Sequence, residues 1–135
     1  MHTYPARTLT ISIDCPPARV QAFVTDPRNL PSWGHGLGNS VRSEAEQWFV
    51  STPQGEVQIR FAEANPFGVI DHWVRISPEV EVYVPMRVLP NGAGSEVLFT
   101  LFQPASMSEE RLAVDIGLVE QDLQRLKQVL EGATA

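Results

Sequence analysis

Cysteine is almost missing from this chain. Cys15 stands alone, so no internal disulfide can form and nothing points to an oxidising compartment. Lysine is equally scarce: Lys127 is the single one, and the arginines are scattered. Ten basic against sixteen acidic residues leave a formal net charge of −6. A nucleic-acid binder needs a basic face, and this pattern supplies none. No apolar run approaches the roughly 20 residues needed to cross a bilayer, so membrane insertion is not expected. Met1-His2-Thr3-Tyr4-Pro5 lacks the basic start and apolar stretch of a secretory signal, and a cytoplasmic location is the expectation. His2, His35 and His72 have no tight ligand spacing, which argues against a metal. No Gly-x-Ser-x-Gly elbow occurs, so hydrolase chemistry of that type is unsupported; no glycine-rich phosphate loop stands between strand and helix, and no cofactor is expected.

What is present is alternation. In Thr8 to Asp14, Leu9, Ile11 and Ile13 oppose Thr8, Thr10, Ser12 and Asp14, the signature of a half-buried strand. Pro16-Pro17 ends it and presets a short helix, Pro17 to Thr25, with Val20, Phe23 and Val24 inward. Asp26-Pro27 stops that helix, and a further turn follows near Asn29 to Trp33. Six more strands are read at Val41 to Glu44, Gln47 to Ser51, Glu56 to Ala62, Val69 to Ile76, Glu79 to Val88 and Ser95 to Gln103. In the fifth strand an outward Arg75 places Ile70, His72, Val74 and Ile76 on the core face, whereas a slip of one residue would put Asp71 and Trp73 inside instead. Val80, Val82, Val84, Met86 and Val88 form the apolar face of the next, with Pro85 implying an edge position or a bulge. From Ser108 to Ala135 the chain reads as one long helix, because Leu112, Ile116, Val119, Leu123, Leu126 and Leu130 recur at steps of three and four. Ser106 or Ser108 is its cap. At 135 residues, 43% of them apolar, a single domain over 1–135 can bury roughly two thirds of its unfolded surface. Tight turns between successive strands favour an antiparallel α+β domain.

The stretch from Ile11-Ser12-Ile13-Asp14-Cys15-Pro16-Pro17 through Val20 and Phe23-Val24 to Asp26-Pro27-Arg28-Asn29-Leu30-Pro31-Ser32-Trp33 resembles the opening of the SRPBCC superfamily. That group contains START-related, birch-pollen-allergen-like and polyketide cyclase/dehydrase-like proteins. Phe67-Gly68-Val69-Ile70-Asp71-His72-Trp73-Val74 and Glu81-Val82-Tyr83-Val84-Pro85-Met86-Arg87-Val88 are similar to one small bacterial branch of it. The resemblance covers essentially the whole chain. It implies a helix-grip fold: a curved seven-stranded antiparallel sheet wrapped around the C-terminal helix, two short helices after the first strand, and an apolar cavity between. It implies no catalytic set, since the superfamily's activities differ widely.

Three functions follow as expectations. The first is a binding or carrier protein for a small, largely apolar molecule (aromatic, polyketide-like or lipid-like) held in the cavity. The second is a polyketide cyclase or dehydratase using His72 as general acid or base, against which stands an ordinary core histidine bonded to backbone. The third is a protein-interaction module using the groove. Candidate ligand-binding residues are Trp33, Phe61, His72, Met86, Phe99 and Gly117, with Trp48 as a further wall. Gly117 costs about 1 kcal/mol relative to alanine inside a helix, which either ligand room or close sheet packing would explain. The glycines around His35 form either a gate or a plain loop. Arg87 and Glu81 are expected as a solvated surface pair, Arg60 and Arg75 as exposed, and Cys15 as inert packing. An edge strand, or the face bearing Trp73 and Tyr83, offers a surface for a homodimer.

Overall fold

The computed structural model of the protein describes residues 2–34 and 40–132. The expected gate around His35 and the last three residues of the expected helix lie outside these described residues. Strand β1 (Ala6–Ile13) leads into α1 (Pro17–Val24), a 3-10 turn (Pro27–Asn29) and α2 (Leu30–Trp33). Then come β2 (Val41–Glu44), β3 (Gln47–Thr52), β4 (Gly55–Phe61), β5 (His72–Ser77), β6 (Val80–Val84), β7 (Met86–Asn91), β8 (Gly94–Phe102) and α3 (Glu109–Gly132). All pairings are antiparallel, in a five-stranded sheet ordered β2-β3-β4-β5-β6 and a three-stranded sheet ordered β1-β8-β7.

The expected single sheet of seven strands is therefore corrected to two sheets of five and three. Pro85 is the physical reason: it has no N–H to give a ladder and divides the expected Glu79 to Val88 strand into β6 and β7. The register does not slip across the break. His72 faces Val84, and beyond Pro85 an isolated bridge joins Val69 to Arg87. The Ile70 N–H donates to the Met86 carbonyl at 3.0 Å and the Val88 N–H to the Gly68 carbonyl at 2.9 Å. The two sheets are thus one wall with a seam.

Side-chain alternation gives this wall an inner and an outer face. The inner face runs through Ile13, Val97, Met86, Val88, Ile70, Ile59 and Val50, all buried. The expected inward set is corrected at its far end, where Ile76, Val80 and Val82 are exposed at the β5–β6 turn and along β6, the outermost strand of its sheet. The two-residue turn between β2 and β3 puts Ala45 and Glu46 at φ 51° and 66°, the paired positive angles of a tight hairpin, here without the usual Asn or Gly. Gly68 sits at φ +72°, where a Cβ would collide with the Val88 carbonyl oxygen; no other residue fits that crossing.

Helix α3 is capped by Ser108, whose Oγ accepts from the Arg111 N–H at 3.0 Å. Its second half is sealed: Val119, Leu123, Leu126 and Leu130 are buried, and the backbone lies close to β1 and α2. Lys127 Nζ donates to the Ser12 carbonyl at 2.7 Å and also pairs with Glu131 at 2.7 Å. Glu131 accepts in turn from the Asp14 N–H at 2.9 Å. In the first half Leu112 and Ile116, on the same ridge, are only half-buried. The helix is pinned at one end and stands looser at the other.

Candidate functional site

Four of the expected site residues come together on the inner face. Phe61 and His72 are cross-strand partners, as are Met86 and Phe99. The His72 ring lies between Phe61, at 5.0 Å between centroids, and Phe99, at 6.3 Å, within the range for aromatic contact. Met86 is buried beneath them, while Phe61 and Phe99 remain half-exposed. The register of β4 with β5 and of β7 with β8 produces these two pairs directly.

His72 is 4% exposed. Its Nδ1–H donates to the Ile70 carbonyl at 3.4 Å, which leaves Nε2 with a lone pair. Burial penalises the imidazolium and pushes its pKa down to about 4, although the Ile70 carbonyl and the neighbouring Asp71 work the other way. At neutral pH the ring is an uncharged acceptor. It is a weak base and no reservoir of protons.

Asp71, which the sequence reading brings inside only on a one-residue slip, is buried together with His72. Only 6% exposed, it shares the phase of Trp73 on the outer face and stands opposite Pro85. Its carboxylate accepts from the Met86 N–H and Tyr83 Oη, each at 2.8 Å, and from the Arg87 guanidinium. Arg87 also donates to the Met86 carbonyl at 3.1 Å. The expected Arg87–Glu81 surface pair is corrected accordingly: Arg87 goes to Asp71, and Glu81 to Arg75 at 3.4 Å. The buried carboxylate draws the longer side chain toward the seam and feeds an amide next to the prolyl break. Burial, with the Asp71 carboxylate beside it, raises the Tyr83 pKa. On the same outer face Trp73 stacks on Tyr83 at 5.5 Å, and the Arg60 guanidinium lies 4.2 Å above the Trp73 ring.

The remaining candidates fall elsewhere. Trp33 ends α2, is buried, and belongs to the apolar cluster against which Phe61 and Phe99 pack. A Cβ at Gly117 meets no atom within 4 Å, so close sheet packing does not explain this glycine. By helical rotation it also points about half a turn away from the buried ridge of Leu126, and it is not gathered with the aromatic cluster. Trp48 joins Ile59, Phe61, Thr25 and Pro27 in lining a cleft of about 350 Å³ between the end of α1 and the β3–β4 hairpin. Phe61 is common to that cleft and to the His72 cluster. Cys15 is buried, and burial raises its thiol pKa, so it stays protonated and unreactive. No helix among the described residues is long and apolar enough to cross a membrane.

No protein-family model matches the chain, and no curated protein sequence does. Solved structures do. XoxI from Bacillus cereus superposes with a TM-score of 0.74 at 18% identity, over 96% of this chain and 98% of that one. The Aha1 dimer from Colwellia psychrerythraea gives 0.72 at 14%, over 94% and 96%. DynU16, a protein of the dynemicin biosynthetic locus, gives 0.66 at 18%, over 93% of this chain and 47% of that one. At these identities the likeness establishes a shared small α+β fold.

Proposed function

We propose that this chain is an SRPBCC-type helix-grip domain that holds a small, largely apolar molecule between its sheets and the first half of α3. The observation that carries the reading is unfinished burial. Leu9, Ile11, Phe61, Val74, Phe99 and Leu101 on the sheets and Leu112 and Ile116 on the helix keep accessible surface, while the far end of the same layers is closed. Apolar side chains left partly open to water gain contact and lose that water when a guest covers them. The origin of DynU16 in a biosynthetic locus fits a guest of biosynthetic type.

Binding is favoured over acid–base catalysis by the surroundings of His72. Its ring neighbours are two phenylalanines, and Asp71, the adjacent ionisable group, is committed to the outer face. General catalysis needs a second group positioned to pass or receive the proton. Fluorescence titration with 1-aminoanthracene tests the reading: saturable binding is expected, and Leu112→Trp, which fills the looser end, should weaken it at least tenfold. Absence of saturable binding, or binding that Leu112→Trp leaves unchanged, overturns it.

A further inference from the structure

The β5–β6 hairpin leaves its sheet with an open edge. Ile76, Val80, Val82 and Tyr83 are each more than two fifths exposed, which gathers apolar side chains on both faces of one short strand. Edge strands are usually blunted by lysine, proline or a covering element, yet Val80–Val84 contains neither residue, and β6 pairs only with β5 in its sheet. The far edge, β2, differs, because Arg42 and Glu44 there share an ion-pair group with Glu56. The backbone direction in β6 can be followed from the seam. Met86 and Val88 turn their backbone groups toward the segment leading into β5, in their bonds to Ile70 and Gly68, and alternation carries that direction to Val84 and Val82. Glu81, Tyr83 and Pro85 therefore point away from β5. The β7–β8 ladder ends at Met86 and Phe99, and the Pro85 carbonyl accepts one further bond, from the Thr100 N–H at 3.1 Å. Beyond it the outward N–H and C=O groups of Glu81 and Tyr83 have no partner among the described residues.

We infer that this edge is a self-pairing interface and that its occupant is a second copy of the chain, joined antiparallel about a twofold axis at Val82. The residues select that register. Glu81 of each copy faces Tyr83 of the other, and each such pair exchanges both backbone bonds, so all of these outward groups are served. Sliding the copies by two residues one way sets Glu81 against Glu81. Sliding them the other way sets Glu81 against Pro85, which has no N–H to give. At the register centred on Val82, that residue meets its own copy and Val80 meets Val84, all on the inner face. Charge favours the same occupant. On the outer face the cross-strand row Arg60, Trp73, Tyr83 runs on into Glu81, Arg75 and Gln58 of the second copy. No like charges adjoin along it, although each chain carries a formal net charge of −6. A five-residue strand is smaller than a standard interface, which makes the dimer weak and concentration-dependent. The pairing goes beyond the binding reading and does not depend on a guest.

Sedimentation equilibrium of the whole chain, from low micromolar to submillimolar concentration, should show a reversible monomer–dimer equilibrium. Val82→Lys sets two ammonium groups against each other at the axis and should weaken association at least about tenfold. Val82 is exposed, so the far-UV circular dichroism of this variant should match that of the wild type. Cysteine substitution reads the register. Val82→Cys places two thiols in a non-hydrogen-bonded pair, with Cα atoms about 4.5 Å apart and within disulfide reach, and it should cross-link under mild oxidation. Val80→Cys faces Val84 of the second copy and should cross-link at least about tenfold more slowly. Cys15 is buried and common to both variants. A chain that stays monomeric throughout the range overturns the pairing and leaves the edge to a strand of another protein. A dimer as tight in Val82→Lys as in the wild type, or equal cross-linking of the two cysteine variants, overturns it as well.

Discussion

Acid should destabilise this protein before its carboxylates titrate, and His72 should be the cause. In the unfolded chain the imidazole takes a proton near 6.5; in the fold, burial holds it down to about 4. Between those values the unfolded state binds a proton that the folded state refuses, so stability falls as pH falls. Above about pH 6.5 this group has no effect, and below about pH 4 its effect levels off. Each tenfold difference in proton affinity is worth about 1.4 kcal/mol, which makes the full loss about 3 kcal/mol and the loss between about pH 7.5 and pH 5 about 2 kcal/mol. Asp26, Glu56, Glu96 and Glu131 have pKa values lowered by their hydrogen-bond and ionic partners. Their contribution is present above the ordinary carboxylate range and is lost only in stronger acid, so a window above about pH 5 isolates the histidine. Urea unfolding of the wild type and of His72→Phe across that window is the assay. The wild type should lose about 2 kcal/mol more than the variant. Parallel pH profiles in the two proteins would refute the argument, since they would mean that His72 meets water or an unrecognised charge in the fold.

Four further outcomes follow from the packing. Leu126→Ala should cost about 3 kcal/mol and Leu112→Ala about 1 kcal/mol in urea unfolding, because only the second half of α3 is sealed. Asp71→Asn should cost about 2 kcal/mol by the same assay, and Tyr83→Phe about half of that, since one removes the charge and one of the two acceptor oxygens and the other a single donor. Replacing Ala45-Glu46 by Asn-Gly should raise stability by about 1 kcal/mol, measured as an increase in Tm, by relieving two positive φ angles. Gly68→Ala should lower stability by at least about 2 kcal/mol in the same melt, because the new methyl meets the Val88 carbonyl.

Much of this architecture is legible in the residues. Period-two patterns at Leu9-Ile11-Ile13 and Val57-Ile59-Phe61 mark strands whose inner rows lie where alternation puts them. Pro16-Pro17 and Asp26-Pro27 bracket α1, and the three-four spacing from Leu112 to Leu130 finds α3. His72 lands on the inner face because Arg75, three residues on, cannot. Alternation also explains what stayed hidden. It allows one of Asp71 and His72 to be inside, yet both are buried, since a proline opposite Asp71 leaves a pocket for a carboxylate beside the seam. The pairing of Pro85 with Asp71 is a cross-strand fact, available only once the register is known. The unequal sealing of α3 is likewise invisible in a ridge whose leucines all look alike. Trp33 reads from the sequence either as an aromatic wall or as a residue that finishes the core, and in the fold it is a buried member of the core cluster.

The break at Pro85 has a geometric consequence. The two sheets meet along one seam, and Asp71, Tyr83 and Arg87 are joined across it on the outer face. On the binding reading proposed above, these bonds lie on the face opposite the guest, apart from the side chains that would line its space. Substitutions at these three residues should change which shapes are admitted while leaving every surface that touches the guest as it was.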